Sequence, residues 1–171
     1  WWRWRRVFGR RRRLRRRGRL RVMVSASPPR LAQGIDLDRI EAAIRSAERR
    51  TSGQIRVAVA RFYFWGSVRR AADAAFARLR MNQTRRRNGV LLFVAPRLHQ
   101  FAVIGDVGIH ERVSDAFWGQ VSLTLQTDFR GGDLTAGLLH AIDTIGDRLA
   151  EHFPPDPMGD NELPDRVEIE R

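Results

Sequence analysis

Cysteine is absent from the 171-residue chain, which excludes disulfides, thiolate nucleophiles and Cys-ligated zinc. Lysine is absent as well: all 32 basic residues are arginine, a uniformity that reads as coding bias rather than as a binding feature. Long hydrophobic runs are also missing. The longest lies around Leu91 to Ala95, far short of the ~20 apolar residues a membrane-spanning helix needs. Nor does the start carry the apolar stretch of a secretory signal. These absences lead to the expectation of a cytoplasmic protein with no transmembrane segment.

The positive charge is concentrated at one end. Residues 1–30 hold 13 Arg and no acid, so the remaining 19 Arg face all 19 acidic residues and the body is formally neutral. The net charge of +13 therefore belongs to the tail. From Trp1 to Val24, Arg blocks alternate with Trp1, Trp2, Trp4, Val7, Phe8, Leu14 and Leu20. Residues 1–24 could hold a non-specific anionic partner, nucleic acid or anionic lipid, by counterion release and stacking. Like-charge repulsion and scarce apolar residues point instead to disorder. Met23 stands where the composition becomes ordinary, as it would if an Arg-rich upstream frame had been appended. The expected organisation is an Arg-rich tail and linker over 1–33, one domain over 34–155 and an acidic C-terminal tail over 156–171.

Within the body, Asp36 or Asp38 caps a helix with the stripe Ile40, Ala43, Ile44, Ala47, and Gly53 in a left-handed position ends the segment. Ile55, Val57 and Val59 alternate as a strand. A helix over about Ser67 to Met81 turns Ala72, Ala75, Phe76 and Leu79 inward. Gly89 to Ala95 is apolar on both faces and reads as a central strand covered on both sides. Gln100 to Ile104 then returns antiparallel. A helix carrying Val113, Phe117, Val121, Leu125 and Phe129 ends at Gly131-Gly132, and Asp133 caps the last one. Strand, helix, strand implies a right-handed parallel crossover. The fold class is thus α/β: a mixed central sheet sandwiched by helices, in a single domain.

This topology gathers polar residues at one sheet edge: Gln54, Thr84, Arg87, Asn88 and Asp106, with His110, Glu111 and Asp115 just downstream. Carboxylates and an amide oxygen beside a Gly-containing turn suit a hard cation such as Ca²⁺ or Mg²⁺, and Arg87 suits a phosphate oxygen. An ordinary reading also exists. Asn88-Gly89 makes a turn, Asp106 satisfies loop amides and Asp115 caps a helix. Other signals are weak: His110-Glu111 lacks the second His of a zinc-peptidase helix. Gly105-Asp106-Val107-Gly108 lacks the third glycine of a dinucleotide fingerprint, and no Gly-x-Ser-x-Gly elbow occurs.

Several stretches resemble the TPM domain family. They are Thr51-Ser52-Gly53-Gln54-Ile55, Thr84-x-x-Arg87-Asn88-Gly89-Val90-Leu91 and Val103-Ile104-Gly105-Asp106-x-Gly108-Ile109. Trp118, Phe129, Gly132-Asp133, Gly137-Leu138 and His152-Phe153-Pro154 follow in order. The ending, Asn161 to Asp165, looks like the short bacterial members. The resemblance implies an α/β sandwich and, in some members, a bound divalent cation. Acid phosphatase activity has been proposed for thylakoid-lumen members, while others have accessory roles. Where members often carry Glu, this chain has Gln54.

Two functions follow as expectations. In the first, the chain is an accessory domain for an unidentified protein partner, with Asp106, Asp115, Glu111 and Gln54 around Ca²⁺ or Mg²⁺. In the second, it is a cation-assisted phosphomonoester hydrolase in which Asp106 and Asp115 hold the ion and Arg87 stabilises the phosphoryl charge. Binding of anions by the tail is a third reading.

Overall fold

The computed structural model describes residues 21–26, 35–60, 67–156 and 161–170. Among the described residues, five strands form one sheet in the order β1-β4-β3-β2-β5: β1 Arg21–Ala26, β2 Gln54–Ala60, β3 Gly89–Ala95, β4 Gln100–Gly105 and β5 Glu168–Glu170. The helices are α1 Leu37–Glu48, α2 Val68–Arg78, α3 Val107–His110, α4 Asp115–Gly131 and α5 Leu134–His152. β2 and β3 are parallel, with Ile55 opposite Val90, and β3 and β4 are antiparallel, with Leu92 opposite Val103. The expected α/β sandwich, its crossover and its tight return are all present.

Alternation along β2 divides the core. Ile55, Val57 and Val59 face α1, α4 and α5 in the larger cluster with Ile44, Trp118, Ile142 and Leu149. Ala58 and Ala60 face the other way, with Phe76 of α2, Met81 and Leu91. β3 is buried at every position, as a central strand covered on both faces must be. The helix starts follow their caps. Asp36 accepts from the Arg39 amide, Ser114 from Phe117 and Asp133 from Ala136. Gly132, at φ 90°, closes α4 in the left-handed region.

Three expectations need correction. Arg21–Ala26, assigned above to the tail and linker, pairs antiparallel with β4 from Arg21 opposite Gly105 to Ala26 opposite Gln100. Hydrogen bonding to an open sheet edge, which no local charge pattern registers, decides its state. At the other end, Glu168–Glu170 of the acidic tail joins β2 in parallel. Gly53 is not in the left-handed region; a Cβ there would lie 2.7 Å from Leu149 Cδ2, so a larger residue would have to displace the Leu149 side chain of α5. Residues 1–20, including most of the Arg-rich segment, lie outside the described residues. No described helix is long and apolar enough to cross a membrane.

Candidate functional site

The three quoted motifs meet at one end of the sheet, and each is occupied in holding the turns together. Arg87, with φ 51° in the left-handed region, turns its guanidinium onto Asp106: Nε donates to Oδ2 at 2.6 Å and Nη2 to Oδ1 at 2.9 Å. Asp106 is fully buried, and its Oδ1 also accepts from the Val107 amide at 2.7 Å. The hydrogen bond to Asp106 is the main cause raising the Arg87 pKa above its ordinary value. Backbone bonds run alongside, from the Asp106 amide to Gly89 O at 2.9 Å and from the Gly108 amide to Arg87 O at 2.8 Å. A Cβ on Gly108 would sit 2.1 Å from Arg86 O, so the two turns touch backbone to backbone and only glycine fits.

The neighbouring residues complete this clamp. Thr84 Oγ1 accepts from the Asn88 amide at 3.2 Å, and buried Asn88 donates through Nδ2 to Ser52 O at 3.2 Å. The Thr51 hydroxyl and the Ser52 amide both donate to Phe153 O, tying the start of β2 to the end of α5. Gln54 is buried, and its Oε1 accepts from the Leu163 amide at 2.9 Å.

The predicted cation ligands therefore do not assemble as a set. Asp106 spends its oxygens on three donors and Gln54 holds the C-terminal segment. Glu111 is exposed beyond α3 and Asp115 is exposed at the first position of α4. Among the described residues, no three His, Cys, Asp or Glu side chains gather in a way that could hold a metal ion. Arg87 and Asp106 do come together, as the topology predicted, but as partners of each other.

Chemistry less committed to structure lies just beyond, in a cleft of about 490 Å³ that opens between the end of α1, the 84–87 turn and the C-terminal segment. Glu48, at the last position of α1, was not singled out in the sequence. Its Oε1 accepts from the Ile55 amide at 2.7 Å, while its buried Oε2 receives no hydrogen bond. Burial is the main cause raising the Glu48 carboxyl from 4.5 to about 9, and the neighbouring Asp165 carboxyl raises it further. Asp156, Asn161 and Glu162 line the same cleft, together with Arg45, Arg49, Arg85 and Arg86.

The TPM domain family model matches residues 33–148. The chain belongs to the TPM domain family. Among solved structures, the NMR structure of BA42 protein from the psychrophilic bacterium Bizionia argentinensis superposes with a TM-score of 0.73 at 33% identity, covering 82% of this chain and 99% of that one. A search of curated proteins finds no match. The TPM domain match takes in Arg87, Asp106 and Glu48 but stops short of Asp165, so half of the carboxyl pair comes from beyond the matched stretch.

Proposed function

We propose that this TPM domain is a non-catalytic accessory domain that takes a divalent cation, Ca²⁺ or Mg²⁺, in the cleft, with Glu48 and Asp165 as its carboxylate ligands. The observation that carries this reading is the orphaned, buried Glu48 Oε2 beside a second carboxyl. A buried carboxyl oxygen without a hydrogen-bond partner, beside a second acid, is a donor set that a hard cation can take up, and Mg²⁺ in particular is commonly held by one or two carboxylates with water filling its other positions. A cation would supply positive charge to the pair, while Gln54 and Glu41 hold the C-terminal segment over it. The Arg87–Asp106 pair speaks against catalysis at the sequence-predicted site, because Asp106 is buried and already engaged by the Arg87 guanidinium.

Calorimetric titration with Ca²⁺ and with Mg²⁺ at neutral pH tests this. Binding should release close to one proton, seen as heat that varies with the buffer's ionisation enthalpy. Glu48→Gln should abolish the signal. Absence of heat in wild-type protein at pH 7 and at pH 9 would sink the proposal.

Arg45, Arg49, Arg85 and Arg86 in the same cleft favour a second reading, in which a phosphomonoester meets the cation there and is hydrolysed. Turnover of a chromogenic phosphate ester that depends on added cation and is lost in Glu48→Gln would select it. Equal background rates in both proteins would leave the accessory role.

A further inference from the structure

β5 is three residues long, yet it covers a buried cation. Arg56 of β2 is 4% exposed, and its Nε has no hydrogen-bond partner. Burial is the main cause lowering its pKa, opposed by Glu168, Glu48 and Asp165 in that order. Two of these three acidic side chains belong to the C-terminal segment. Arg56 Nη2 lies 3.8 Å from Glu168 Oε2. Arg78 of α2 reaches Glu168 Oε1 at 3.4 Å and also pairs with Glu170. Between the two acids, Ile169 sits opposite Val59 and packs on the larger core. The Val167 amide donates to Glu41 Oε1 at 2.9 Å, fixing the strand's entry.

We propose that the β2 edge is a receptor groove for an extended acidic strand of the pattern Glu-aliphatic-Glu. The chain's own Glu168-Ile169-Glu170 occupies it in cis until an acidic segment of a partner protein displaces it. A buried guanidinium stripped of its carboxylates is costly, so the groove selects a strand that returns them. The main-chain ladder supplies affinity, and the two arginines with the aliphatic pocket supply specificity. Tethering gives the resident strand an effective concentration on the order of millimolar, so a free peptide of the same sequence competes poorly with an intact tail. The groove therefore opens when the tail's carboxylates are weakened or when a partner brings further contacts.

The test uses the full chain with Glu168→Gln and Glu170→Gln together, and a fluorescein-labelled nine-residue probe of sequence Leu-Pro-Asp-Arg-Val-Glu-Ile-Glu-Arg. Fluorescence anisotropy should show at least tenfold tighter binding of the probe to the variant than to wild type. A probe with both Glu replaced by Gln should lose at least tenfold on the variant. Hydrogen exchange should quicken at 167–170 in the variant and slow again at 58–60 when the probe binds. Three results would overturn the proposal. One is unchanged exchange at 167–170 in the variant. Another is a released strand with no gain in probe binding. The third is release followed by dimerisation without probe capture, which would assign the groove to a second copy of the chain.

Discussion

Glu48 looks like any acidic residue near a helix end, yet burial makes it an acid with a raised pKa. Its folded value of about 9 stands above the ordinary 4.5, so between those limits the folded chain holds a proton that the unfolded chain has released. The sign follows: this contribution to stability is complete below pH 4.5 and is lost as pH rises towards 9. The slope can reach ~1.4 kcal/mol per pH unit. Thermal melts should fall in midpoint from pH 5 to pH 9 for wild type and stay nearly flat for Glu48→Gln, whose side-chain oxygen can still accept from Ile55. Parallel profiles for the two proteins would refute this. Asp106 makes a different kind of prediction. Asp106→Ala removes the α3 cap and both bonds to Arg87, and should cost about 2–4 kcal/mol in urea unfolding. A loss below ~1 kcal/mol would mean that the pair behaves as a surface salt bridge.

At the scale of elements, what was legible in the sequence was whatever is decided locally. β2, β3 and β4 show their alternation or their continuous apolar run. The helices show stripes bounded by Asp36, Ser67, Gly132 and Asp133, and the structure keeps those boundaries closely. The outer strands were hidden for opposite reasons. β1 has the β-branched Val22 and Val24, but it follows an arginine block that dominates any window drawn around it. β5 is too short for a periodic signal, and its acids gain meaning only beside Arg56 and Arg78, 90 or more residues away. The candidate site divides in the same way. Parallel pairing of β2 and β3 with an antiparallel β4 was enough to bring Arg87 near Asp106. No spacing rule could reveal that the two would consume each other's charge, or that Glu48 would be buried beside Asp165, which is far away in the chain.

For the whole molecule, the formal neutrality of residues 31–171 hides a strong local ordering of charge. Arginines are aimed at carboxylates across elements: Arg87 at Asp106, Arg50 at Asp143 and Asp147, Arg56 and Arg78 at the C-terminal strand. The two strands that close the sheet lie on opposite sides of the stretch matched by the family, 33–148. A chain trimmed to that stretch would keep β4-β3-β2 and expose raw backbone along both outer strands, one of them beside an Arg56 that has lost Glu168 and Asp165. Such a fragment should polymerise edge to edge. Light scattering and thioflavin fluorescence should rise within hours at micromolar concentration, whereas a chain of residues 21–171 should stay clear. A fragment that stays monomeric would show that the outer strands are dispensable. On this view the flanks act as a molecular selvedge, and the domain's resistance to fibre formation is encoded outside its recognisable core.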